Sequence, residues 1–267
     1  MRLVLLFLFS ALSLGGLAQR SLSNIGARSW GMGHAMVALP QDQSFFSNPA
    51  GLGFTKGAFV NTSFDSRFNV SGLSTVSMSA AHSTEKLAVG IGAERFGDRL
   101  YNENKAGIAL AKKAGFVSLG IKASFLGTYA ENISSANSLL TEFGVMAKLH
   151  KLFILGFHAS NITGAKLLGT QKLPTVLSLG GSFYPAEQVI ITAETEYSPD
   201  QKAFFKGGLE YRIQERLFLR TGINTAFKTN HFGLGYLYEK WQVDYAVNTH
   251  PTLGFSHHIS LNMALRK

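Results

Sequence analysis

EQVIITAETEYSPDQKAFFKGGLEYRIQERLFLRTGINTAFKTNHFGLGYLYEKWQVDYAVNTHPTLGFSHHISLNMAL, residues 187–265, repeats one pattern six times: about ten residues with alternating apolar side chains, then a few turn residues. Val189, Ile191, Ala193 and Tyr197 alternate with Ile190, Thr192, Glu194 and Glu196, while Phe205, Leu209, Tyr211 and Ile213 alternate with Lys206, Gly208, Glu210 and Arg212. The rhythm continues through Leu217, Leu219 and Ile223, through Phe232, Leu234 and Tyr236, through Trp241, Val243 and Tyr245, and through Ile259, Leu261 and Met263. A period of two places the two sets on opposite faces of a β-strand. One face is apolar; the other is poor in surface charge and rich in Gly, Ser and Asn, which suits a crowded lumen. Apolar outside and small or polar inside, over consecutive strands of about ten residues, is the pattern of a transmembrane antiparallel β-barrel. A soluble sandwich or soluble barrel has the same period, so the choice turns on the N-terminus.

That end reads MRLVLLFLFSALSLGGLAQ: one Arg, a continuous apolar run, then the small residues Gly16 and Ala18. It predicts a signal peptide over 1–19, cut near Ala18 or Gln19. No later stretch approaches the roughly 20 apolar residues of a spanning helix. An exported chain of this kind, with barrel patterning and no helical anchor, is expected in the outer membrane with lipid around it. The absence of cysteine excludes disulfides, lipoprotein acylation, thiol catalysis and thiolate metal sites. The net charge of +9 raises nucleic acid as a partner. Many of the cations fall in predicted turns, however: Lys86, Lys112, Lys113, Lys151, Arg216, Lys240, Arg266 and Lys267. They read as headgroup-facing residues at a membrane edge, and no nucleic-acid partner is expected.

The domain reading is a signal peptide at 1–19, a plug-like segment at 20–56 and a barrel at 57–267. The segment at 20–56 has no strand rhythm, and its Gly31 and Gly33 do not complete a dinucleotide fingerprint because Ala35 and Met36 follow. Short helical turns packed at or inside the barrel mouth account for its mixed apolar residues. Beyond it, fourteen strands are read at 57–65, 68–82, 85–95, 103–113, 115–128, 138–149, 151–161, 174–184, 187–198, 203–212, 215–224, 229–239, 241–249 and 254–265. The first two have ambiguous facing. Connections alternate between tight ones and longer ones such as 96–102, 129–137 and 162–173; the first hairpin, near 66–67, is the exception. An even strand count with this alternation predicts both termini in the periplasm. Phe183, Tyr184, Tyr197, Tyr211, Tyr236, Tyr238 and Trp241 are candidates for an interfacial girdle.

The run GARSWGMGHAMVALPQDQSFFSNPAGLG at 26–53 resembles the N-terminal signature of PorV/PorQ-like outer-membrane proteins, relatives of the FadL long-chain fatty acid transporters. The matching residues are Gly26, Ala27, Arg28, Gly31, Met32, Gly33, Ala35, Asn48, Pro49, Ala50 and Gly51. The resemblance implies a 14-stranded barrel with its N-terminal segment in the lumen. It also implies an accessory role in type IX secretion, with translocon components or exported cargo as partners. The alternative it implies is a FadL-like transporter of a hydrophobic small molecule, for which Met32, Met36, Phe45 and Phe46 are candidate apolar contacts. The chain departs from many outer-membrane barrels by ending Met263–Lys267 without a terminal aromatic.

Strand parity turns Glu142, Glu194, Glu196, Glu210 and Asp244 inward, with Lys122, Lys148, Lys206, Arg212 and Arg220. Paired carboxylates can serve acid–base chemistry. Opposite charges in a small barrel more simply pair across strands, because an isolated buried charge is costly. No Ser/His/Asp constellation emerges, so no catalytic residue is nominated and the chain is expected not to be an enzyme. Adjacent His257 and His258 fall on opposite faces of one strand and cannot easily share a metal. No metal or cofactor is expected.

Overall fold

The computed structural model describes residues 25–41, 43–132, 134–167, 171–199, 201–226 and 228–266. The signal peptide expected at 1–19 lies outside them. Alternation produces strands wherever the sequence shows it: β1 (Gly57–Ser66), β2 (Ser74–Ser83), β3 (Leu87–Gly97), β4 (Tyr101–Ala114), β5 (Val117–Ala130), β6 (Ser134–His150) and β7 (Phe153–Ser160). A two-stranded ribbon, β8 (Lys166–Leu167) with β9 (Gln171–Lys172), sits in the longest loop. Then follow β10 (Val176–Ala186), β11 (Val189–Ser198), β12 (Gln201–Ile213), β13 (Leu217–Asn224), β14 (Thr229–Tyr238), β15 (Trp241–His250) and β16 (Gly254–Arg266). Apart from the ribbon, each strand pairs antiparallel with its neighbours, and β1 pairs with β16 to close a fourteen-strand barrel.

Closure leaves no sheet edge, so every strand finds its backbone partners within the wall. Outward residues are apolar and exposed, among them Ile121 at 56%, Leu179 at 61% and Phe255 at 57%. Inward residues are buried and mostly polar or small. The facing left ambiguous by the sequence is resolved on the same rule, with Asn61, Ser63 and Asp65 of β1 and Thr75, Ser77 and Ser79 of β2 turned inward.

Several boundaries differ from expectation for local reasons. β2 begins at Ser74, not at 68, because Phe68 and Asn69 adopt left-handed backbone (φ 54° and 56°) and Ser71–Leu73 form a 3-10 turn. The first connection is therefore long, and the exception near 66–67 disappears. The long loops expected at 96–102 and 129–137 contract instead. Asp98 Oδ1 accepts from Leu100 N (2.8 Å) and Tyr101 N (3.1 Å), which closes one of them as a short turn and lets β4 start early. β6 runs 17 residues, more than the 9–11 that suffice to cross a bilayer. The wall around β4–β6 is thus taller than the rest and projects at the end opposite the start of β1 and the finish of β16. Tight turns such as 115–116, 151–152 and 239–240 gather at the end that bears these two strand termini.

The lipid-facing assignment predicts a cost for charge at mid-wall. Ile121→Arg should lower folding stability in lipid vesicles by about 2–4 kcal/mol, read from urea titration of the purified chain; an unchanged midpoint would mean that this face does not meet lipid.

Candidate functional site

The lumen is occupied by the chain's own N-terminal segment. It contains a five-residue helix α1 (Ala27–Gly31) and two 3-10 turns, Ser44–Phe46 and Pro49–Phe54. Helix α1 packs on β13–β16, and the second 3-10 turn packs on β3–β6. Asn48 starts that turn: its Oδ1 accepts from Ala50 N (3.1 Å), and Pro49 supplies a fixed φ at the first position. The other end of the same amide ties plug to wall. Nδ2 donates to Val37 O (2.7 Å), Phe157 O (3.2 Å) and Val145 O (3.3 Å).

Close approach explains inward glycines that alternation alone leaves unexplained. A Cβ on Gly208 would lie 2.6 Å from Met32 O, and one on Gly120 would lie 2.8 Å from Ala50 Cα. The wall backbone is recessed where the plug backbone passes.

Charges then lock the contact. Arg28 of the plug forms a two-point pair with Glu210, Nε to Oε2 at 2.9 Å and Nη2 to Oε1 at 2.7 Å. Glu210 also accepts from Arg220 Nε (2.5 Å), and Arg220 Nη1 reaches Asp244 Oδ1 (2.7 Å). Glu194 Oε2 accepts the plug N–H groups of Met36 (2.8 Å) and Val37 (2.9 Å) while Oε1 accepts from Lys206 Nζ (3.0 Å), which also pairs with Glu196. Lys122 Nζ lies 2.8 Å from Glu142 and donates to Phe45 O of the plug at 2.9 Å; His158 contacts Glu142 at 3.1 Å. At the far end Trp30 stacks on His258 with centroids 3.8 Å apart, and His258 Nδ1 lies 2.9 Å from Asp65. The carboxylates expected to face inward thus lie in ion pairs, and no group of three or more His, Asp or Glu suited to a metal occurs among the described residues.

Met32 and Met36 lie with Leu39 against Tyr184 and Ile190, whereas Phe45 and Phe46 lie with Ile25 and Leu52 against Phe59 and the small wall residues Ala81, Ala88, Ala109 and Ala111. All four candidate ligand contacts are buried in these clusters. Gly31, Gly33, Asn48, Ala50 and Gly51 are buried against the wall as well. Tyr184 does not join the outer girdle. It turns inward and is half-buried between two plug clusters. Phe183, Tyr197, Tyr211, Tyr236, Tyr238 and Trp241 do face outward.

Arg212 and Lys148 keep inward parity but lie past the plug, at the terminus-bearing mouth. They line a cavity of about 910 Å³ with Lys113, Lys151, Glu187 and the apolar Phe54, Phe116, Leu152, Ile154 and Tyr184. Lys113 Nζ sits 5.3 Å from the centre of the Phe54 ring. Lys113 and Lys151, read from the sequence as headgroup-facing, therefore belong to a vestibule wall. Parity could have flagged the Lys105–Glu94 pair (3.2 Å) on the neighbouring strands β3 and β4. It could not have found the partner of Arg28, which lies 182 positions away.

The fold defines a plugged outer-membrane barrel. Similar solved structures include the Ralstonia pickettii toluene transporter TbuX (TM-score 0.73, 13% identity, 92% of this chain and 100% of that one) and the Pseudomonas putida toluene transporter TodX (TM-score 0.70, 11% identity, 92% and 100%). The CymD monoaromatic hydrocarbon channel is comparable (TM-score 0.70, 12% identity, 92% and 99%). At these identities the likeness establishes a shared fourteen-strand fold. No protein-family model and no curated protein sequence matches the chain.

Two predictions follow from the plug geometry. Arg28→Ala leaves Glu210 with one cation in place of two, so its charge stays compensated by Arg220, and should weaken plug docking by about 1.5–3 kcal/mol, as for loss of hydrogen bonds to a charged group. The readout is chymotrypsin cleavage at Trp30 and Phe45, which should accelerate while the heat-modifiable gel mobility of the barrel stays unchanged. His34 is held neutral chiefly by burial, with repulsion from His231 and Lys206 in support, so its pKa lies well below the ordinary imidazole value. A histidine with a depressed folded pKa imposes no penalty above its unfolded value near 6.5 and an increasing one as pH falls below it. Plug cleavage should therefore rise between pH 7 and pH 5, and His34→Gln should flatten that rise.

Proposed function

We propose that the chain is an outer-membrane transporter of small hydrophobic molecules in which the N-terminal segment is the gate. The observation that carries this reading is a gate-like attachment. The segment is seated in the lumen by side-chain ion pairs, hydrogen bonds and packing, all of which can open and reform, and it stands directly above a vestibule at the terminus-bearing mouth. The shared fold with barrels described as toluene transporters supports it. On this reading the Met32–Met36–Leu39 and Phe45–Phe46–Leu52 clusters are the apolar surfaces along which a ligand would pass once the segment shifts. The continuous backbone ladder around the wall favours release through the terminal mouth, because lateral release would break wall hydrogen bonds.

A second reading, an accessory protein of type IX secretion, rests on the signature at 26–53 and is favoured by one observation: the plug clusters are tightly buried, as a non-conducting scaffold requires. Uptake separates the two. Cells producing the chain should accumulate labelled toluene or dodecanoate faster than cells without it, and deletion of residues 25–53 should change the rate. Equal uptake in all strains, with stoichiometric protein partners in native pull-downs, would overturn transport in favour of the accessory role.

A further inference from the structure

The vestibule has a charge distribution that neither reading requires. Four cations line it, Lys113, Lys148, Lys151 and Arg212, against the single carboxylate of Glu187. The cations arise at the end of β4, the end of β6, the β6–β7 turn and the end of β12. Along the barrel order β4-β5-β6-β7-β10-β11-β12 these positions span six strand spacings. At ~4.8 Å per spacing the arc is roughly 30 Å, so Lys113 and Arg212 cannot share one carboxylate or one phosphate, although the three lysines lie within three spacings of one another. Arg212 adds an incomplete hydrogen-bond set. Its Nη2 donates to Glu187 O (3.2 Å), while Nε is buried without a hydrogen-bond partner. A buried guanidinium donor left unpaired is costly, and its plane is suited to an incoming carboxylate. Between the cations the wall offers Phe116, Leu152 and Ile154, an apolar floor at the scale of one or two side chains.

We propose that this mouth is a docking site for an acidic peptide segment of a partner protein, with carboxylates distributed along it and at least one apolar anchor side chain. Charge complementarity sets the class, because an extended chain of about nine residues covers roughly 30 Å at ~3.3 Å per residue. A single-headed amphiphile meets only one part of the arc. Lipid headgroups are a poorer fit because Lys113, Lys148 and Arg212 carry inward parity, towards the lumen, and only Lys151 stands in an exposed turn. The expected register places one carboxylate on Arg212 and others on Lys151 and Lys113, with the anchor over Leu152 and Ile154. Docking here neither needs nor excludes passage of a ligand through the lumen.

The test uses the full chain in nanodiscs of zwitterionic lipid and a fluorescein-labelled twelve-residue peptide alternating Asp and Leu, followed by anisotropy. A matched peptide with Asn in place of Asp and a labelled dodecanoate serve as competing ligands. The Asp peptide should bind at least tenfold more tightly than the Asn peptide, weaken with salt, and lose tenfold or more affinity in a Lys113→Gln, Lys151→Gln double variant. Arg212→Lys, which keeps the charge but removes Nε, should lose affinity without changing the salt slope. Gel mobility of each variant checks that the barrel is intact. Equal binding of the two peptides, indifference to the lysine substitutions, or binding of dodecanoate alone would each overturn the proposal, the last by making the mouth a small-amphiphile site.

Discussion

The structure depends on a carboxylate that serves wall and plug at once. Glu194 projects from β11 into the lumen, where it accepts two consecutive backbone N–H groups of the plug and the ammonium of Lys206. Without the plug, the charge would exchange two backbone donors for water in the opened lumen. Without the charge, the Met36 and Val37 amides would lose their acceptors. With the plug seated, each side satisfies groups that would otherwise be buried and unpaired. Glu210 with Arg28, and Lys122 with Phe45 O, repeat the arrangement on other parts of the wall. Three separate anchors set the segment's position and rotation where one would leave it free to pivot.

This mode of attachment differs in kind from the packing that holds the wall. The wall is a closed ladder of backbone hydrogen bonds, which lipid cannot replace. The plug is held by three apolar clusters and by side-chain pairs whose partners water can replace if the segment moves. One part of the molecule is therefore permanent and the other conditional, a division suited to a gate. The close fit over Gly120 and Gly208 limits the conditional part to a single docked pose, since shifting the segment by one residue would bring side chains onto recessed backbone.

Part of the interior was legible from strand parity. Glu142, Glu194, Glu210, Arg220 and Asp244 face inward because their neighbours in sequence are apolar and face lipid. Parity also predicted pairing in general, since uncompensated buried charge is costly. It was silent about partners across the lumen. Arg28 belongs to a segment without rhythm, and its choice of Glu210 depends on where the plug is seated. Tyr184 was misread for the same reason: as an aromatic near a strand end it resembles a girdle residue, but its parity is inward and the plug gives it an apolar surface. The position of Lys113 over the Phe54 ring of the plug was likewise out of reach, because nearness to a turn does not tell rim from mouth.

By itself the sequence determined the class of wall, the strand count and the side of the wall on which most residues stand, because a two-residue period needs only local geometry and a lipid outside. It also left the stretch before Gly57 without a strand rhythm, and the described residues of it, 25–41 and 43–56, form no part of the wall. The tertiary structure alone decided which inward charges meet, which glycines leave room for backbone, and that four cations line one cavity. Those relations join positions tens to hundreds of residues apart, and they exist only after the barrel has closed and the plug has taken its seat.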